Sequence, residues 1–97
     1  MAEGLEIGHV YQVFLNNGTE PVGGMYMGTI KTPGTERRVN RIAIRTPVGN
    51  SERPAIWTFG KFDLEGEILR IGNAQLTRAV TDRDIAYCER EMARRGK

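Results

Sequence analysis

Residues that break regular structure recur so closely along most of this chain that only short elements fit there. Through residue 73 no stretch longer than seven residues lacks Gly, Pro or Asn, whereas a helix with a core face needs about ten to twelve. From Ala74 to Arg95 none of the three occurs. The pattern predicts a series of short strands followed by one helix. With 97 residues the chain is long enough for one hydrophobic core and too short for two. A single domain over residues 1–97 is expected, with an N-terminal arm at 1–8, a β-meander over 9–80 and a C-terminal helix over 82–95.

The strongest turn signal is Asn16-Asn17-Gly18 after the β-rich run HVYQVFL at 9–15, because asparagine and glycine accept the left-handed conformations of a tight hairpin turn. The return arm, Val22 to Thr32, carries Gly23, Gly24 and Gly28, which points to bulges or sharp bends. Residues 37–45 alternate, with Asn40, Ile42 and Ile44 on one face and Val39, Arg41, Ala43 and Arg45 on the other. The polar segment TPVGNSERPA reads as a surface loop, Ile56 to Phe62 as a fourth strand, and Glu67 to Ile71 and Leu76 to Val80 as two more. In the arm, Leu5 and Ile7 share strand parity and suit a sheet edge. The expected fold is mainly β with one C-terminal helix: a small, strongly bent antiparallel sheet forming an SH3-like partial barrel of five to six strands, capped by the helix. An OB-fold is disfavoured, because a proline-containing loop stands where that fold places a helix.

The helix carries its own boundary signals. Thr81 is placed to cap it with Asp84 reaching back, and Val80 and Ile85 occupy the flanking apolar positions. Acidic Asp82 and Asp84 begin it, Arg94 and Arg95 end it, and Gly96 follows, in the sense the helix dipole favours. At about 100° per residue, Ile85, Cys88 and Met92 form a narrow core stripe, and Arg83, Tyr87, Arg90 and Arg94 gather opposite it. Arginine with tyrosine is an interface composition, so these four are the expected partner-binding residues.

Catalytic inventory is thin. One cysteine and one histidine cannot form a disulfide framework or a Cys/His zinc site. Ser51, Cys88 and the threonines face a lone base, His9, and Cys88 falls on the expected core stripe. Asp63, Glu65 and Glu67 cluster in a turn and read as solvated charge. Phosphate-loop, dinucleotide and calcium-loop motifs are lacking, and Asn17-Gly18-Thr19 reads as a turn rather than a glycosylation site. No catalytic activity, cofactor or metal is expected. Apolar runs are too short for a membrane helix and the first fifteen residues lack a signal-peptide pattern, so the expectation is a cytoplasmic protein without a membrane partner.

The net charge of +2 is mild, but eleven of the fourteen cations are arginine. Residues 31–45 concentrate five of the positive charges (Lys31, Arg37, Arg38, Arg41 and Arg45) against Glu36 alone. The leading expectation is a non-catalytic protein-binding module that docks on an acidic partner surface, as an assembly subunit or as a small inhibitor of the viral accessory kind. The alternative is nucleic-acid binding, with Arg37, Arg41 and Arg45 on phosphates and Trp57 or Phe59 stacking on bases. Trp57 and Phe59 share parity, and in so small a sheet the core is their expected place, which weakens that alternative. Self-association through an exposed edge strand is also compatible with the pattern.

Overall fold

The computed structural model describes residues 4–45 and 53–95. Ser51, Gly96 and most of the expected 46–55 loop lie outside the described residues. Seven strands precede the helix: β1 (Val10–Leu15), β2 (Val22–Lys31), β3 (Arg38–Ile44), β4 (Ala55–Phe59), β5 (Phe62–Glu65), β6 (Ile68–Ile71) and β7 (Gln75–Ala79), then α1 (Asp82–Arg95). They form one sheet in the order β5-β6-β1-β2-β3-β4-β7. The mainly β composition with a C-terminal helix is as the sequence indicates. The finer expectation needs correction, because the described residues form seven strands rather than five or six and the sheet is neither closed nor curled into a barrel.

It is also mixed rather than antiparallel, since β1 and β6 run parallel, with Val13 opposite Leu69 and Leu15 opposite Ile71. The physical reason lies in the edges. One edge of β4 is taken by β3 and the other by β7, so the β5–β6 hairpin, turned at Gly66 with φ 61°, lands on the open edge of β1. Gly60 and Lys61 split what reads in sequence as one strand into β4 and β5.

The turn after β1 has Asn16 and Asn17 in the left-handed region, at φ 50° and 64°, with the Gly18 amide donating to the Leu15 carbonyl at 2.8 Å. The left-handed pair is therefore Asn16-Asn17 and not Asn17-Gly18. Asn16 has a second task. Its Oδ1 accepts from the Ala74 amide at 2.7 Å and its own amide donates to the Ile71 carbonyl at 2.7 Å, which fastens the segment after β6 to the end of β1.

Strand alternation sorts side chains to two faces. Tyr11, Val13, Tyr26, Ile42, Phe59, Leu69 and others make the larger core cluster on one face, joined by Leu5 from the N-terminal arm. Trp57 packs against this cluster, so both aromatic residues of β4 take the core position the sequence favoured. On the other face a smaller cluster joins Cys88 of α1 to Met27, Ala43, Ile56 and Val80. Ile7 touches both clusters. The described part of the arm, residues 4–8, contains no strand, but its Gly8 amide donates to the Tyr26 carbonyl at 2.8 Å and holds it to the sheet.

The helix is rolled from the orientation expected of it. Cys88 is buried, but so is Asp84, while Ile85 and Met92 are 42% and 38% exposed. Tyr87, placed opposite the core in the sequence reading, is half-buried and packs against the smaller cluster. Two polar contacts account for the roll: Arg78 of β7 grips Asp84, and Tyr87 lies over the Arg41 guanidinium at 5.5 Å. Hydrophobic periodicity contains neither contact.

Candidate docking groove and cationic helix flank

The start of α1 is anchored by one carboxylate. The Thr81 amide and hydroxyl donate to Asp84 Oδ2 at 2.8 and 2.9 Å, and the Asp84 amide donates to Thr81 Oγ1 at 3.3 Å, completing the reciprocal cap expected from the sequence. Arg78 adds a two-pronged contact, Nη1 to Oδ2 at 2.7 Å and Nη2 to Oδ1 at 3.1 Å. Arg78 foremost, with the Thr81 donors, holds the Asp84 carboxyl far below the usual carboxylate range despite its burial. This fixes the helix start above the sheet and, with it, the position of Ile85.

Between Ile85 and the sheet lies an open groove of about 480 Å³, walled by Val10, Met25, Ala43, Val80 and Ile85. Val10 is 59% exposed. Gly23 and Gly24 line the groove as well, without side chains to fill it. Arg45 and Arg53 stand at the mouth. Arg53 pairs with Asp82 at 2.9 Å, whereas Arg45 is exposed and has no ion pair among the described residues. An apolar centre with a cationic rim is the composition of a recognition surface.

Of the four helix residues singled out in sequence, Arg83, Arg90 and Arg94 are exposed. Arg94 Nη1 lies 3.0 Å from Glu91 Oε2, and Arg83 and Arg90 have no ion pair among the described residues. Tyr87 is turned away from them, toward Arg41 and Gly28. The arginines therefore make a cationic flank without its tyrosine.

The Arg37, Arg41 and Arg45 row is not presented as a unit. Arg37 precedes β3 and is exposed, Arg41 is half-buried with Nη2 donating to the Met27 carbonyl at 3.1 Å, and Arg45 belongs to the groove. Phe59 is only 2% exposed and packs with Trp57 on the other face of the sheet. Phosphate contacts and stacking rings are thus not brought together there.

The remaining titratable groups lie apart. Burial pushes the Cys88 thiol up, away from the reactive thiolate. His9 meets Glu67 at 2.5 Å on the surface, and its ring tilts on Tyr11 at 4.5 Å between centroids. Among the described residues no group of three His, Cys, Asp or Glu is placed to hold a metal, and no helix is long and apolar enough to cross a membrane. The chain matches no known protein family, no curated protein and no solved structure in the three comparisons made.

The groove itself escaped the sequence reading, because its walls come from β1, β2, β3, α1 and the segment between β7 and α1. The available signals were Val10 out of phase with the core residues of β1 and the paired glycines at 23 and 24.

Proposed function

We propose that the protein is a non-catalytic docking module that holds an acidic, apolar-sided segment of a partner protein in the groove between α1 and β1–β3. The observation that carries this reading is the pair Val10 and Ile85, both exposed, facing one open apolar groove with Arg45 at its mouth. Covering an apolar side chain of this size stabilises a complex by roughly 1.5–3 kcal/mol, and a carboxylate reaching Arg45 adds a charge-assisted contact. Arg83 and Arg90 supply positive potential that speeds encounter with an acidic surface. An assembly subunit and an inhibitor would both act in this way. Nucleic-acid binding through Arg37, Arg41 and Arg45 has less support, since Trp57 and Phe59 lie on the opposite face from Arg41.

The test uses Val10→Asp and Arg45→Glu, both at exposed positions. A partner captured by the wild-type protein and then purified should bind each variant at least tenfold more weakly, about 1.4 kcal/mol, with melting temperatures nearly unchanged. A purified partner that binds both variants as tightly as wild type rejects the groove, and so does the absence of any partner sensitive to them.

A further inference from the structure

At the other end of β1 is a second and larger cavity, of about 680 Å³, which the docking groove does not use. Across the outer face of β1, β6 and β5, Phe14, Arg70 and Asp63 stand in register. The Arg70 guanidinium lies over the Phe14 ring at 4.6 Å and makes no ion pair with Asp63, although the two are direct cross-strand neighbours. A guanidinium laid on a ring keeps its in-plane N–H donors available and holds them in a fixed plane. Lys61, in the link between β4 and β5, lines the same cavity and has no ion pair among the described residues. Thr19, from the turn after β1, borders the cavity too.

Two cations and one carboxylate without an ion pair among the described residues, beside a half-buried aromatic ring that Arg70 partly covers, define the ligand chemistry. Lys61 and Arg70 together match a phosphomonoester, whose charge is about −1.5 to −2 at neutral pH, and the guanidinium fork suits its oxygens. Asp63 accepts from hydroxyl groups. Phe14 offers half-buried apolar surface, while Phe62 faces the core and closes the wall from behind, and the volume lies within the range of about 300–1,000 Å³ typical of small-ligand sites. We propose that this cleft binds a nucleoside monophosphate, with the phosphate between Arg70 and Lys61, the ribose hydroxyls on Asp63 and the base against Phe14.

Adenosine monophosphate, ribose 5-phosphate, inorganic phosphate and a single-stranded oligonucleotide are the probes, titrated into the full chain and followed by calorimetry and amide NMR shifts. Adenosine monophosphate should saturate, bind more tightly than ribose 5-phosphate, and shift Phe14, Thr19, Lys61 and Arg70. Arg70→Gln and Lys61→Ala should each weaken it about tenfold, the loss of one good charge-assisted contact. Lys61 is exposed, so its variant retains the fold even if Arg70→Gln disturbs the β1–β6 pairing. Phe14→Leu keeps the apolar contact but should abolish the preference over ribose 5-phosphate. No saturable shift by about 10 mM, affinity no greater than for inorganic phosphate, binding unchanged in Lys61→Ala, or binding of the oligonucleotide alone would each overturn the assignment.

Discussion

Asp84 combines two tasks, capping a helix and receiving a part-buried contact from Arg78, and both depend on its negative charge. Its folded-state carboxyl is held below the unfolded value of about 3.9. The stability it contributes is therefore complete above that pH and is lost as the pH falls through it toward the folded value. Asp84→Ala should cost about 1–3 kcal/mol near neutral pH, and the gap to wild type in urea denaturation should narrow at pH 3. Tyr26 behaves in the opposite sense. Its hydroxyl donates to Asn40 Oδ1 at 2.7 Å, and burial pushes its pKa up to about 12, against the opposing pull of Arg41. Its contribution is intact below the ordinary tyrosine value of about 10 and fades as the pH rises from there through the folded value. The difference between phenolate absorbance titrations of the wild type and of Tyr26→Phe should place the Tyr26 ionisation well above the ordinary tyrosine value. Tyr26→Phe, which leaves Asn40 Oδ1 without its donor, should lower stability by about 1–3 kcal/mol.

Among the elements, α1 and β2 show how far local signals reach. The reciprocal cap of α1 is written in Thr81 and Asp84 themselves, since the partners are three residues apart. The roll of the helix is not, because it follows from Arg78 on β7 and Arg41 on β3. In β2 the glycines at 23, 24 and 28 announce irregularity, and the register does shift between Tyr26 and Gly28. Only the structure shows why glycine is required at 28: its φ is 90°, and a Cβ would stand 2.9 Å from Ile7 Cδ1. Gly28→Ala should cost about 1–3 kcal/mol, or roughly 4–8 °C of melting temperature per kcal/mol in a domain of this size. Gly60→Ala is the contrast, since its Cβ would meet nothing within 4 Å, and its melting temperature should stay near that of wild type.

At the scale of the molecule, the described part of the N-terminal arm is packed into the core of the sheet through Leu5 and Ile7. Leu5 is 7% exposed within the larger cluster, so Leu5→Ala should remove about 2–4 kcal/mol. For a domain whose total is about 5–15 kcal/mol, that is a visible fraction in a thermal melt. A variant melting within a degree of wild type would mean that the arm is not part of the core. The sequence by itself determined that the chain turns within Asn16-Asn17-Gly18, though not which two of these residues are left-handed, together with the two faces of β3, the cap of α1 and the core position of Phe59, because each depends on neighbours a few residues away or on simple alternation. Tertiary structure alone decided that β6 joins β1, that Tyr87 faces the sheet, that the arginine row is divided, and that Val10 and Ile85 share a groove. Those outcomes are settled between residues far apart in the chain, as Asn16 and Ala74 are at a separation of 58 positions, and competition for free strand edges and for buried polar partners leaves no periodic trace in either segment.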